Sequence, residues 1–220
     1  MPKLVPLIKL APERIRAIVF DLDATLYDDP RLGEAVQTEA YGFIAASLGL
    51  EPTAAEQLLR QTRQRLTAER GGAATLSLAI GELGLDLKAL HACFAERIEP
   101  AQHLGRDERV VAMLRELSSR FMLVLYTNNN RTLSGKIMQV LGIAEGFSRV
   151  FTIEDTWRPK PDRATLELLL DDISQPAAAC LFVGDRYDVD LRLPEAMGAQ
   201  VYQVASVADL LKLPKLLEGE

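Results

Sequence analysis

The chain has 220 residues, of which 48% are hydrophobic and 25% charged, and this composition excludes a disordered, collagen-like or disulfide-stapled protein. The formal net charge is −6 and the basic residues are scattered, which disfavours a nucleic-acid polymer or an anionic membrane as partner. With only two cysteines and no recognisable signal peptide, we expect a cytoplasmic protein. We expect it to be a monomer or a homodimer.

Five short apolar runs predict β-strands, at residues 17–20, 122–126, 150–153, 180–183 and 200–204. The runs lack polar alternation, and helical patterns separate most of them, which is typical of parallel strands buried on both faces. We therefore predict an α/β fold, with a doubly wound parallel sheet of five strands and right-handed helical crossovers.

The connection between the first two strands is long and contains only helical patterns. These patterns lie at 31–48, 52–70, 73–83 and 87–98, and a further helix at 106–120 leads into the second strand. The helix at 52–70 should begin with a capping box formed by Thr53 and Glu56.

Prolines at positions 30 and 100 punctuate the two ends of this long connection. We assign residues 28–102 to an all-helical insertion, and residues 1–27 and 103–220 to an α/β core. The insertion should sit over the carboxyl ends of the strands, where open α/β sheets bind ligands.

Polar side chains follow four of the predicted strands. The first strand runs into the segment Asp21-Leu22-Asp23-Ala24-Thr25, where residues i and i+2 of an extended chain share a face. The polar residues after the later strands are Thr127 and Asn128, then Lys160 between two prolines, then Asp185, Asp188 and Asp190.

These segments resemble the four motifs of the haloacid dehalogenase superfamily of phosphohydrolases: DxDx(T/V), a Ser or Thr, a Lys, and GDxxxD or GDxxxxD. The resemblance spans the whole chain, with the motifs in order and each at a strand end. The stretch FDLDATLYDD at residues 20–29 is similar to pyrimidine 5′-nucleotidase-like members, although Ala24 stands where Gly or Asn is commonest. The inserted helices are similar to the C1-type cap of this superfamily.

The resemblance implies a role for each motif residue. Asp21 would be the nucleophile and Asp23 the general acid/base, which also lends its backbone carbonyl to Mg²⁺. The phosphoryl oxygens would be held by Thr127, Asn128 and Lys160, and the metal by Asp21, Asp23, Asp185 and Asp190. Asp188 is the competing assignment for Asp190.

Elementary electrostatics also favours a metal at this cluster. Two like charges about 5 Å apart cost roughly 3 kcal/mol at an effective dielectric constant of 20, so crowded carboxylates need a cation before they accept an anion. Oxygen ligands select Mg²⁺ over zinc, and the sequence has only two histidines, His91 and His103.

The implied activity is Mg²⁺-dependent hydrolysis of a small phosphate monoester through an aspartyl-phosphate, with a nucleoside monophosphate as one candidate substrate. A 2-haloacid dehalogenase or a phosphosugar mutase of the same fold, and a non-catalytic phosphate-binding module, are the alternatives. Asp23 argues against the dehalogenase, which keeps the nucleophile but lacks the second carboxylate.

Several residues have a second interpretation that involves no chemistry. Thr127 could be only a helix N-cap, and Lys160 a solvated loop lysine. The arginines of the helix at 52–70, namely Arg60, Arg63 and Arg70, could bind a leaving group or simply face solvent.

Overall fold

A computed structural model describes residues 10–218, and a parallel five-stranded sheet forms its centre. Its strands are β1 Ala17–Phe20, β2 Met122–Tyr126, β3 Arg149–Phe151, β4 Cys180–Gly184 and β5 Gln200–Gln203, in the spatial order β3-β2-β1-β4-β5. The predicted α/β fold with a five-stranded parallel sheet is confirmed.

The central strand shows why these apolar runs lack polar alternation. Ile18 and Phe20 belong to the hydrophobic cluster on one face of the sheet, whereas Ala17 and Val19 belong to the cluster on the other. Phe20 lies opposite Leu125 of β2 and Val183 of β4, so the neighbouring strands β1, β2 and β4 end at the same edge of the sheet.

Helices cover both faces of the sheet. After the four helices between β1 and β2 that are described in the next paragraph, they are α5 Glu108–Ser118, α6 Arg131–Leu141, α7 Arg163–Asp172, α8 Arg192–Ala196, α9 Val207–Leu210 and α10 Leu213–Leu216. Among residues 10–218, no helix combines the length and the apolar character needed to cross a bilayer.

Four helices lie between β1 and α5, in the segment where the sequence predicts an insertion. They are α1 Pro30–Leu48, α2 Pro52–Arg70, α3 Leu76–Glu82 and α4 Leu87–Arg97. Helix α1 packs against α2 and α4, and the buried side chains of these helices join the hydrophobic cluster that covers one face of the sheet.

Three local predictions differ from the structure. Helix α2 begins at Pro52 with Glu51 as N-cap and no side-chain capping bond, so the predicted Thr53/Glu56 capping box is wrong. Proline suits the first helical position, and it places Thr53 one residue inside the helix. Helix α3 starts three residues later than predicted, where Thr75 supplies the N-cap, and β3 ends before the turn that Thr152 begins.

The helical segment contacts the sheet domain through a buried histidine. His91 is 3% exposed, and its ring meets the Trp157 ring edge-on at 5.9 Å. Its backbone oxygen accepts a hydrogen bond of 2.9 Å from Asn130 Nδ2 at the start of α6. Among residues 10–218 its Nδ1 atom has no hydrogen-bond partner, and burial lowers the pKa of His91 to about 4.

We predict that acid destabilises the protein through His91. Since a histidine in an unfolded chain titrates near pH 6.5, the unfolded state binds a proton between pH 6.5 and 4 that the native state does not. The free energy of unfolding should therefore fall by up to about 3 kcal/mol across this window as the pH decreases. Urea unfolding of the wild type and of His91→Gln at several pH values measures the difference, and parallel curves would contradict the prediction.

Candidate active site

The carboxyl ends of β1, β2 and β4 bring the predicted site residues to one edge of the sheet. Asp21 continues the β1 pairing, because its backbone N–H donates to Val183 of β4 at 2.9 Å. Thr127 likewise extends β2, with its N–H donating to Phe151 of β3 at 3.0 Å. The first and second motifs are therefore fixed to the sheet by main-chain hydrogen bonds.

Lys160 ties these strand ends together. Its ammonium donates to Asp21 Oδ1 at 2.6 Å, to Asp190 Oδ1 at 2.7 Å and to the backbone oxygen of Tyr126 at 3.0 Å. The side chain is 2% exposed, so the alternative of a solvated loop lysine is wrong. All three ammonium protons have an acceptor, which is the condition for burying such a charge.

The charges of Lys160 and Asp21 depend on each other. Burial opposes the charged form of Lys160, but the carboxylates of Asp190 and Asp21 outweigh it and raise the pKa of the lysine. Burial raises the pKa of Asp21, and the ammonium of Lys160 opposes this rise. Either group alone would be a buried, uncompensated charge.

Three carboxylates form a compact group beside the lysine. Asp21, Asp185 and Asp190 each offer an oxygen, and these oxygens lie within 4.8 Å of one another. Asp188 lies outside this group, and its carboxylate pairs with Arg192 at 3.2 Å. The structure thus places Asp190, and not Asp188, in the acidic cluster.

The backbone after β4 explains how Asp190 reaches the cluster. Residues Tyr187–Leu191 form one turn of π-helix, a rare conformation that is often found at functional sites. The turn packs directly on Gly184, where an added Cβ would lie 2.6 Å from the Cβ of Asp190. Only glycine at position 184 allows this approach.

Asp23 is oriented by two side chains outside the acidic cluster. The hydroxyl of Tyr27 donates to Asp23 Oδ1, and Asn129 Nδ2 donates to Asp23 Oδ2 at 2.8 Å. Burial raises the pKa of Tyr27, so its phenol stays protonated and remains a donor. Ala24 follows with φ of 57°, a left-handed conformation that turns the chain away from the strand.

Thr127 and Asn128 lie beside these acids without bonding them directly. The hydroxyl of Thr127 accepts from the backbone N–H of Asn129 at 3.1 Å, and the N-cap of α6 is Asn130, so the N-cap alternative for Thr127 is wrong. Asn128 Oδ1 accepts from the backbone N–H of Lys160 at 2.8 Å, whereas its buried Nδ2 has no hydrogen-bond partner in the described part of the chain.

A cavity of about 420 Å³ lies between the strand ends and the inserted helices. Asp23, Asn128 and Asp185 line it from the sheet side, and Leu32 and Phe94 from the helices. Two buried polar atoms of these lining residues, the Nδ2 donor of Asn128 and the Oδ1 acceptor of Asp185, have no hydrogen-bond partner among residues 10–218. A donor and an acceptor thus remain unsatisfied beside the cavity.

The acidic cluster has the donors of a site for a hard divalent cation. Its ligands are carboxylate oxygens alone, which suit magnesium or calcium better than zinc. Burial also raises the pKa of Asp185, which a bound cation would offset. Asp23 keeps its side chain outside the cluster, so any share it takes in metal binding falls to its main chain.

Four further residues contact the predicted site residues, although no definite role for them could be predicted from the sequence. Tyr27 and Asn129 orient Asp23, and Thr25 donates to Asp21 Oδ2 at 3.3 Å. The fourth, Arg186, has Nε 3.7 Å from Asp185 and 3.9 Å from Asp190. Thr25 belongs to the first motif, and the other three lie within two residues of a motif residue, which is the signal that indicates them.

We predict that Lys160→Met strongly destabilises the fold, because it leaves Asp21 and Asp190 buried against each other without a counter-charge. Removal of one partner of a buried ion pair costs about 3–5 kcal/mol. Urea unfolding measures this loss. Lys212→Met, which removes a lysine from an exposed pair with Asp209, is the control and should leave stability nearly unchanged. Equal effects of the two substitutions would contradict the prediction.

Solved structures with similar folds include both phosphatases and dehalogenases. A HAD phosphatase from Thermococcus onnurineus is 17% identical with a TM-score of 0.63, over 94% of this chain and 99% of its own. A 2-haloacid dehalogenase from Pseudomonas syringae pv. Tomato is 24% identical with a TM-score of 0.58, over 93% and 98%. The HAD-hydrolase YfnB from Bacillus subtilis, bound to magnesium, is 19% identical with a TM-score of 0.59, over 93% and 99%.

At these identities the comparison supports the fold alone. A search of curated proteins returns no match to this chain. A family model for haloacid dehalogenase-like hydrolases matches residues 15–198, which is most of the chain. On this match and on the order of its four motifs, the chain belongs to the haloacid dehalogenase-like hydrolases.

Proposed function

We propose that the protein is a magnesium-dependent phosphatase that hydrolyses a small phosphate monoester through an aspartyl-phosphate on Asp21. The observation that carries this proposal is the second carboxylate, Asp23, which faces the cavity and is held by Tyr27 and Asn129. The hydrogen bonds from Tyr27 and Asn129 hold the side chain of Asp23 outside the acidic cluster, so Asp23 is available as a general acid and base.

The leaving group distinguishes the phosphatase from the dehalogenase. A phosphate ester releases an alkoxide, which needs a proton, whereas a halide is a stable anion that needs none. A general acid two residues from the nucleophile is therefore required for the first reaction and superfluous for the second. The presence of an oriented Asp23 favours the phosphatase.

The proposed reaction has two steps at Asp21. In the first, the Asp21 carboxylate attacks phosphorus while the bond to the ester oxygen breaks, and Asp23 gives its proton to that oxygen. In the second, water attacks the phosphorus of the aspartyl-phosphate, and Asp23 takes a proton from the water. Phosphate leaves, and both aspartates return to their starting forms.

The phosphoryl oxygens would be bound by donors on the β2 side of the site. Thr127 and Asn128 supply a hydroxyl and an unpartnered amide, and Lys160 supplies its positive charge. Such donors, fixed before the substrate arrives, stabilise the charge that develops in the transition state. Lys160 also keeps Asp21 in place through its 2.6 Å hydrogen bond.

Asp21, Asp185, Asp190 and the backbone carbonyl of Asp23 would hold Mg²⁺. The ion, when bound, would neutralise the crowded carboxylates and polarise a phosphoryl oxygen. The positive charges of Lys160 and Arg186 are outnumbered by the three carboxylates of the cluster, so the local charge is negative without the ion. Binding of a phosphate dianion would thus depend on it.

The size of the cavity supports a small metabolite as substrate. A volume of about 420 Å³ is in the range of pockets that enclose small molecules, and the inserted helices would act as a cap over it. Nucleoside monophosphates are among the candidates to be assayed first, because of the resemblance of residues 20–29 to nucleotidase-like members.

We predict different losses for the two aspartates of the first motif. Asp21→Asn should abolish release of inorganic phosphate from p-nitrophenyl phosphate, and Asp23→Asn should lower kcat by about 10²–10⁴-fold. Asp171→Asn, at an exposed position of α7, is the control and should keep wild-type activity. Phosphate release by Asp21→Asn within about tenfold of the wild type would overturn its role as nucleophile.

The same variants distinguish the alternatives. Chloride release from 2-chloropropionate by the wild type and by Asp23→Asn, without phosphate release by either, would identify a dehalogenase. Consumption of a sugar phosphate without release of inorganic phosphate would identify a mutase. Absence of every turnover, with phosphate still bound, would identify a binding module.

We also predict that magnesium stabilises the protein through the acidic cluster. A ligand at a hundred times its Kd adds about 2.7 kcal/mol to the free energy of unfolding, which raises the melting temperature. The increase should disappear with EDTA and in Asp185→Asn, and persist in Asp171→Asn. A melting temperature that does not respond to magnesium in the wild type would refute the metal site.

A further inference from the structure

Arg63 of α2 stands between two cavities. It lines the cavity of about 420 Å³ at the strand ends, and it also lines a second cavity of about 610 Å³ within the helical segment. Gln37 of α1 is shared in the same way. A molecule bound in the cavity at the strand ends, beside Asp23 and Asn128, would therefore have room to extend past Arg63 toward the second cavity.

The guanidinium of Arg63 has no carboxylate partner within the described range 10–218. Of the four arginines of α2, only Arg65 forms salt bridges there, to Glu69 at 3.0 Å and to Glu82 at 2.6 Å. Among residues 10–218, the one hydrogen bond of the Arg63 side chain runs from Nε to the backbone oxygen of Ala74 at 3.1 Å. Its terminal nitrogens, which could bind two oxygens of one anion, make no hydrogen bond in this part of the chain.

The surroundings of Arg63 penalise its charge. Burial lowers the pKa of Arg63, and the guanidinium of Arg186, which lines the same cavity from the sheet side, lowers it further. Arg63 and Arg186 repel each other, and an anion between or beside them relieves this repulsion. Asp185 of the same lining lies 3.7 Å from Arg186, whereas Arg63 forms no salt bridge among residues 10–218.

The second cavity is also lined by positive charge. Arg60 lines it, and the remaining polar side chains around Arg63 there include Gln64, Thr67 and Tyr41, which are uncharged. Glu56 is the one acidic residue of that lining, and it forms no salt bridge with Arg60 or Arg63 in the described part of the chain. The lining thus suits a polar molecule that carries negative charge.

We propose that Arg63 forms a second anion subsite, so that the substrate carries, besides the phosphoryl group bound at Asp21, a distal phosphate or carboxylate. The identification of the first group rests on the proposed phosphatase function. The subsite itself rests on the unpaired guanidinium and on the two cavities that meet at it. Arg63 is a specificity-determining residue in this scheme and takes no part in bond breaking.

Calorimetric binding of phosphonates tests the subsite without requiring turnover. Alkylphosphonates with roughly three to eight carbon atoms are compared with the bisphosphonates and the ω-carboxyalkyl phosphonates of the same length, with magnesium chloride present. The wild type should bind at least one doubly anionic ligand about tenfold more tightly than its singly anionic partner, which equals about 1.4 kcal/mol. The two doubly anionic series distinguish a distal phosphate from a distal carboxylate.

Variants of α2 assign the preference to Arg63. In Arg63→Gln the preference should disappear while binding of the alkylphosphonate stays within about twofold of the wild type. Arg65→Gln removes the same charge from the same helix and should keep the full preference, because Arg65 lines neither cavity. Arg63→Lys keeps the charge and should retain part of the preference for the doubly anionic ligand. It replaces Arg63→Gln in the test if that variant does not fold.

Equal affinity of the wild type for all series, weak or undetectable binding included, would overturn the subsite. A preference that survives in Arg63→Gln, or that disappears in Arg63→Lys and Arg65→Gln alike, would overturn the assignment to Arg63. Failure of the proposed function has a different signature, since a wild type that hydrolyses no phosphate ester can still bind bisphosphonates preferentially.

Discussion

The buried ammonium of Lys160 is the interaction on which the rest of the site depends. It joins Asp21 after β1, the carbonyl of Tyr126 at the end of β2 and Asp190 in the turn after β4, while its own segment follows β3. Since a buried charge is tolerated only when every partner is in place, this single group requires four distant segments to take one arrangement. The sheet provides that arrangement, because parallel strands end at a common edge.

The strands could be predicted because central parallel strands bury both faces and so appear as uninterrupted apolar runs. The prediction fails where side-chain chemistry decides a boundary. Thr152 and Asp155 form a capping box that ends β3 early, and Thr75 rather than the preceding alanines starts α3. The bounds of α2 match the predicted 52–70, but Pro52 takes the first helical position and Glu51 the N-cap, so Thr53 does not cap the helix. Hydrophobic periodicity contains no information about these competing local hydrogen bonds.

Motif order predicts which residues gather at the strand ends, but not how their side chains are oriented. The motif spacing favours Asp190 over Asp188, and the π-helical turn, packed on Gly184, is what brings Asp190 into the cluster. Likewise, nothing in the segment after Asp21 reveals that Tyr27 folds back onto Asp23, a contact made possible by the left-handed turn at Ala24. A residue other than glycine pays about 1–2 kcal/mol for that conformation, which shows how strongly the surrounding contacts favour it.

The charges of the protein are divided between two layers of the cavity. Carboxylates gather at the strand ends, whereas Arg60 and Arg63 of α2, which form no salt bridge among residues 10–218, lie on the helices between β1 and α5. Because the reacting groups are fixed by the sheet and the arginines by a separate helix, a substitution on α2 can change which molecule fits without moving Asp21 or Lys160. Attraction of any anion to an acidic protein depends on such local positive charge, which Arg63 and Arg186 supply in the lining of the cavity.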